Sequence, residues 1–219
     1  MLPTSPTTNP EALLVVFAKA PRPGEAKTRL IPLIGADGAA RFHANMVKHT
    51  LGTALNARVG PVELHCAPDT QHEFFRTCAG TYRAALYPQI GAELGARIQH
   101  AFEQGLTRYR NVIIVGCDCP VLKTHHIREA NAALADHDAV LIPSEDGGYA
   151  LIGLRRCDAR LFENVAWGTD DVLETTRGRL RELDWRWHEL ETLWDIDRPE
   201  DYTRWQRVLE SYAKRTPAQ

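Results

Sequence analysis

Short apolar runs alternate with longer amphipathic segments along the whole chain. "ALLVVFA", "PVELHC", "NVIIVG", "AVLIPS" and "YALIGL" have the length of strands, and "RAALYP" is a weaker run of the same kind. "NVIIVG" is apolar throughout, the pattern of a strand buried on both faces of a parallel sheet. Between these runs the apolar residues fall at helical spacing. From Asp37 to about Asn56 they are Ala40, His43, Met46, Val47, Leu51, Ala54 and Leu55. Over Ala92–Tyr109 they are Leu94, Ile98, Ala101, Phe102 and Leu106. Further helices are predicted through Glu73–Thr77 and His125–Ala135, near Asp158–Phe162, over Asp170–Leu183 and, after "WRWHEL", over Pro199–Ser211.

This alternation predicts a mostly parallel, mixed sheet with helices on both faces, an α/β/α sandwich of three layers. No repeat, low-complexity linker or block of charge interrupts it, so residues 12–212 read as a single domain. Residues 1–11 read as a disordered leader and residues 213–219 as a frayed tail.

Ligands of open α/β sheets bind outside the carboxyl ends of the strands. That rule turns the strand pattern into a short set of candidate loops. The first, Lys19–Leu30, carries Lys19, Arg22, Lys27 and Arg29 with Thr28, Gly24 and two prolines. Its amides and cations suit a phosphate chain, although it is neither a P-loop nor a dinucleotide fingerprint. A solvated basic loop is the plainer alternative. In "GCDCP", Asp118 follows a buried strand and Pro120 stops that strand from continuing. A carboxylate there can hold a divalent cation, or cap a turn.

The other strand ends carry the same double meaning. Asp146, Gly147 and Gly148 of "EDGGYALIGL" permit close backbone approach to a ligand, and equally signal a hairpin turn. In "WGTDDVLETT", Thr169 is a plausible helix N-cap, and Trp167 is either core or a platform for a ring. "WDIDRPED" offers Asp195 and Asp197. Taken alone, Asp197 with Glu200 three residues on reads as a capping box at a helix start.

Composition narrows the classes of function. The 219 residues carry 26 Lys and Arg against 28 Asp and Glu, a formal charge of -2. That balance argues against a general nucleic-acid or membrane binder. The apolar runs are far too short to span a bilayer. The opening "MLPTSPTTNPE" does not look like a signal peptide, so a cytoplasmic address is expected. Five scattered cysteines then fit reduced thiols. No zinc pattern is evident, and the adjacent His125 and His126 are expected to diverge on a helix. Nothing supplies a G-x-S-x-G elbow or an activated nucleophile, so covalent hydrolysis is not expected.

Six segments, taken together and in order, carry a family resemblance: "FAKAPRPGEAKTRL", "LGARI", "GCDCPVL", "EDGGYALIGL", "WGTDDVLETT" and "DIDRPEDY". Over roughly Leu13 to Tyr202 the chain resembles the nucleotide-diphospho-sugar transferase superfamily with the GT-A fold. Within it, the chain is similar to the DUF2064 family, also called selenium-domain-associated or arsenosugar-biosynthesis-type glycosyltransferases. Arg198 stands where the late family motif usually has Thr before Pro, and "LGARI" lacks a common acidic residue. The resemblance implies that Lys19, Gly24, Lys27, Thr28 and Arg29 surround the nucleotide phosphates. It implies that Asp118 and Asp197 hold Mg²⁺ or Mn²⁺, with Asp118, Lys27 and Arg29 as the catalytic set. Asp146, Gly147, Gly148, Tyr149, Trp167 and Thr169 would line the sugar or acceptor side. The implied partners are a nucleotide or nucleotide sugar and a small-molecule acceptor. The implied reaction is metal-dependent sugar transfer, and nucleotidyl transfer from CTP or GTP with release of pyrophosphate is the alternative. A non-catalytic nucleotide-binding module is the reading from another class.

Overall fold

The computed structural model describes residues 11–215. The expected leader thus falls outside the described residues except for Glu11, and so does the tail from residue 216. The strands are β1 (Ala12–Lys19), β2 (Val62–Ala67), β3 (Ala85–Pro88), β4 (Asn111–Val115), β5 (Ala139–Pro143), β6 (Tyr149–Leu154) and β7 (Trp187–Glu189). The α-helices are α1 (Ile31–Ala57), α2 (Glu73–Tyr82), α3 (Leu94–Leu106), α4 (Thr124–Ala133), α5 (Val172–Glu182) and α6 (Pro199–Arg215). The last helix therefore runs past the expected start of the frayed tail. The segment expected as a helix near Asp158–Phe162 is a single 3-10 turn, Ala159–Leu161. The unassigned "WRWHEL" contributes β7, an edge strand of three residues.

The seven strands form one sheet in the order β3-β2-β1-β4-β6-β5-β7. β6 is antiparallel to both of its neighbours, β4 and β5. All other pairings are parallel. The alternation of side chains along β1 shows how the layers are built. Leu14, Val16 and Ala18 meet Val47, Leu51, Phe75 and Ile127 of α1, α2 and α4 on one face. Leu13, Val15 and Phe17 turn to the other face, where Ile98 and Phe102 of α3 and Leu173 and Leu180 of α5 lie. β4 is buried at every position, which accounts for its unbroken apolar run. The result is the expected mixed, mostly parallel α/β/α sandwich.

Gly35 breaks the start of α1 with a φ of 73°, so the regular helix begins near Asp37, where the apolar periodicity begins. A smaller cluster of Leu30, Ala39, Trp194 and Ile196 binds the first loop to the segment before α6. That cluster joins the beginning and the end of the domain above the strand tips.

Candidate functional site

The loops that leave β1, β4 and β5 rise from the same end of the sheet, and the segment 193–197 closes over them. Leu193 donates its N–H to Pro143 O, and Glu145 N–H donates to Leu193 O, which lays this segment along the end of β5. Ile196 N–H donates to Asp118 O at 2.8 Å. That single backbone bond brings the loops carrying Asp118 and Asp197 together. Between the loops opens a cavity of about 1170 Å³.

Lys27 is the centre of this site. Its Nζ donates to Asp118 Oδ1 at 2.7 Å, to Asp197 Oδ1 at 3.1 Å and to the carbonyl of Ile196. Burial alone would lower the pKa of this ammonium, but Asp118 and Asp197 more than offset it and hold the pKa above its ordinary value. Asp118 shows the complement. Burial pushes its carboxyl up, and Lys27 outweighs that and holds it below the usual range. Arg29 Nη1 donates to Asp197 Oδ2 at 2.6 Å, so both oxygens of Asp197 face cations.

Asp197 does not cap α6. The Asp201 carboxylate reaches back to accept from the N–H groups of Asp197 and Arg198, at 3.2 Å and 2.9 Å. The capping pattern read at Asp197 and Glu200 is thus answered by Asp201, which leaves the carboxylate of Asp197 free for Lys27 and Arg29. Thr169 likewise does not cap α5. Its hydroxyl donates to Ala166 O, and Asp171 occupies the N-cap position.

The Asp146–Gly147 pair forms the turn between β5 and β6. Ser144 Oγ donates to Asp146 Oδ1, and Gly148 N–H donates to the same oxygen at 2.9 Å. Gly147 has a φ of 85°, and a Cβ there would lie 2.2 Å from Asp170 O. Glycine is therefore required at that point, both for the turn and for close approach to the Thr169–Asp170 loop. The turn and ligand readings are compatible, because Asp146 and Gly147 also border the cavity.

Of the residues singled out in the sequence, Lys19, Lys27, Thr28, Arg29, Asp118, Asp146, Gly147, Thr169 and Asp197 all line the cavity. Gly24, Gly148, Tyr149 and Trp167 do not. The Tyr149 hydroxyl is buried, which pushes its pKa well up. Tyr149 and Trp167 pack edge to face with ring centroids 6.4 Å apart. That contact packs the start of β6 against the loop that carries Thr169.

Gln89 and His43 are among the lining residues that had no site assignment from the sequence, whereas Asp195 was offered there beside Asp197. Gln89 donates its side-chain amide to Ala18 O and His65 O at the tips of β1 and β2. His43 is buried under the floor, with Nε2 donating to Lys19 O at 3.0 Å and Nδ1 unpartnered. Burial, more than Asp118 can offset, keeps its pKa low and the ring neutral. Asp195 is pushed up to about 7, first by burial and then by the neighbouring Asp146. In all, nine carboxylate side chains line the cavity against four lysines and arginines.

Away from the cavity, His125, His126 and Glu191 bring three potential ligand atoms within 4.8 Å of one another. The two imidazoles do not diverge as expected; their ring centroids are 4.0 Å apart. Lys123 N–H donates to His126 Nδ1, which leaves the ring proton on Nε2, and Nε2 donates to Glu191 at 2.8 Å. A metal on Nε2 would have to displace that proton, so the arrangement serves as a helix cap and a tie to the β7 loop. Among the described residues no helix is long and apolar enough to cross a membrane.

The fold has counterparts among solved structures. One is a protein provisionally named a nucleotide-diphospho-sugar transferase from Desulfovibrio desulfuricans G20. It is 27% identical with a TM-score of 0.78, over 85% of this chain and 82% of that one. The CMP:2-keto-3-deoxy-manno-octonic acid synthetase, solved in complex with CTP, is 12% identical with a TM-score of 0.60, over 92% of this chain and 99% of that one. Rv0371c from Mycobacterium tuberculosis H37Rv, solved in complex with manganese, is 16% identical with a TM-score of 0.51, over 89% and 97% of the two chains. No curated protein matches the sequence. Residues 50–169, more than half of the chain, match the family described as "Uncharacterized protein conserved in bacteria (DUF2064)". This chain belongs to the DUF2064 family.

Proposed function

We propose that the protein is a nucleotide-using transferase that moves a sugar from a nucleoside-diphosphate sugar to a small acceptor, with Mg²⁺ or Mn²⁺ bound by Asp118 and Asp197. One observation carries this reading: two carboxylates from different loops converge on a single cation, the Lys27 ammonium, on the floor of a strand-end cavity. A pair of carboxylates beside nucleotide phosphates is the donor set that Mg²⁺ favours. The acidic lining points the same way, since phosphates entering it need a cation with them. Held by Asp118 and Asp197, the cation would supply neutralisation of the diphosphate's charge.

The chain's own residues supply the rest. Lys19, Lys27 and Arg29 stabilise charge developing on the leaving diphosphate. The tight turn at Asp146–Gly147 and the Thr169–Asp170 loop position the acceptor on the opposite wall, and catalysis is mostly positioning. The D. desulfuricans neighbour, named for nucleotide-sugar transfer, supports this assignment. The test is a panel of nucleoside-diphosphate sugars with Mg²⁺ or Mn²⁺. Release of nucleoside diphosphate from at least one donor, abolished by chelation, is expected, and silence across the panel would reject sugar transfer.

Nucleotidyl transfer is the second reading, and the CTP-bound neighbour favours it. Here the same Lys27, Arg29 and Asp118 would face a triphosphate, and pyrophosphate would leave. Pyrophosphate release from CTP or GTP in the presence of phosphorylated or carboxylate acceptors would select this reading over the first.

A further inference from the structure

The seat proposed for the metal is already filled by the chain itself. Lys27 Nζ sits 2.7 Å from Asp118 Oδ1 and 3.1 Å from Asp197 Oδ1, and its third donor goes to Ile196 O. The Lys27 side chain is 5% exposed, whereas those of Asp118 and Asp197 are 49% and 38% exposed. Each carboxylate therefore reaches the cavity while turning one oxygen inward onto the ammonium. The remaining oxygen of Asp197 is held by Arg29. A divalent cation takes carboxylate oxygens at about 2.0–2.6 Å. At the two inward oxygens the ammonium disfavours such a cation, because two cations so close repel each other.

Resting on the metal reading above, we infer that Lys27 is an internal counter-cation that competes with the metal for Asp118 and Asp197. To leave, its ammonium needs another anionic partner, and nucleotide phosphates in the same cavity provide one. Phosphates draw Lys27 away, and the vacated carboxylates then accept the metal. Nucleotide and metal consequently bind with positive coupling. Without nucleotide, the ammonium holds the two carboxylates together and keeps metal affinity low. Lys27 is thus both a phosphate contact and the residue that sets the order of assembly.

The experiment is a titration of the nucleotide-free protein with Mn²⁺ alone, followed by electron paramagnetic resonance of the free ion. Lys27→Met removes the competing charge, and it should bind Mn²⁺ about tenfold or more tightly than the wild type, within the usual range of such couplings. A folded Lys27→Met protein that binds Mn²⁺ equally or more weakly overturns the inference while leaving the metal reading intact. If neither protein binds Mn²⁺, with or without a nucleoside diphosphate, the metal reading fails and the inference falls with it. Should Lys27→Met not fold, amine labelling of the wild type with acetic anhydride decides the matter by mass spectrometry. Labelling of Lys27 should rise several-fold when Mn²⁺ is bound, and unchanged labelling with Mn²⁺ bound overturns the inference.

Discussion

Two ionic clusters are built on the same sheet, and they are balanced in opposite ways. On β2, Glu63 accepts from Arg108 at 2.8 Å and 3.3 Å and pairs with His65 at 3.2 Å. Aromatic rings surround it: Phe17, His65 and Tyr87 lie side by side on β1, β2 and β3, with centroids 5.5 Å and 5.4 Å apart. One carboxylate there faces a guanidinium and an imidazole, and nothing is left over. At the strand tips, by contrast, Lys27 and Arg29 already serve Asp118 and Asp197, and Asp195 and Asp146 repel each other close by. A buried charge persists in a fold only when it is compensated. The first cluster is complete as the chain folds. The second keeps surplus negative charge facing a cavity, the charge balance on which the proposed cation site rests.

The strongest way to break this contrast is to remove the carboxylate that faces both Lys27 and the cavity. Asp118→Ala should lower metal-dependent turnover by about 10²–10³-fold or more, the range for losing one electrostatic group aimed at developing charge. Its side chain is half exposed, so thermal unfolding should remain cooperative. Initial rates with the active donor, read against a melting curve, check both halves. The matching change in the other cluster behaves in reverse. Glu63→Ala strands Arg108 and His65 and should cost about 2 kcal/mol, less than the 3–5 typical of fully buried pairs because Arg108 can turn to water. That lowers Tm by about 4–8 °C in a domain of this size, with turnover at permissive temperature unchanged.

The difference also explains what could be read from the sequence. Asp118, Lys27 and Arg29 were legible because the strand-end rule needs only the order of strands, and the apolar runs gave that order. Asp197 was legible only through its family motif. Its local pattern reads as a helix cap, and what decides the matter is that Asp201 takes the cap instead. Tyr149 and Trp167 were expected to line the sugar or acceptor side, and neither borders the cavity. A residue's distance in sequence from a glycine turn does not say which face of the sheet it takes, and Tyr149 turns its hydroxyl toward the α5 side. His43 sits on an apolar helix face, where a histidine looks like core, and only the path of the first loop brings Lys19 O to it. Asp195 was visible as a residue, but its proximity to Asp146 is a product of the β5–β6 turn.

A smaller effect sharpens the contrast through pH. The Glu63 carboxyl is held below its ordinary range by His65 and Arg108 despite burial. A lowered carboxylate stabilises the fold above its unfolded pKa and loses that contribution as pH falls through the folded value. Asp195 has the opposite sign. With its pKa raised to about 7, it imposes no penalty in acid, and it destabilises the fold progressively as pH rises from about 4 to about 7. Asp195→Asn should therefore flatten the decline of Tm between pH 5 and pH 8. At pH 8 it should stabilise the metal-free protein by about 1–2 kcal/mol, after allowance for solvent screening. A Tm profile that keeps its slope in the variant would show that Asp195 is not under strain.

The smallest effect belongs to the two cysteines that flank Asp118. They flank Asp118 in sequence and pack into the core beneath the site, with Cys117 also bordering the cavity. Cys117 and Cys119 are each 3% exposed. Cys117 Sγ donates to Phe17 O at 3.3 Å, a bond that a serine hydroxyl can also make. Burial raises both thiols, that of Cys119 up to about 12, so neither supplies a thiolate at neutral pH. The double variant Cys117→Ser with Cys119→Ser should keep turnover within about twofold and lose no more than about 1 kcal/mol. Rates and Mn²⁺ binding measured on the same preparation test this. Lost turnover with binding intact would move a cysteine into the chemistry and would mean that Asp118 is not the only functional group in "GCDCP".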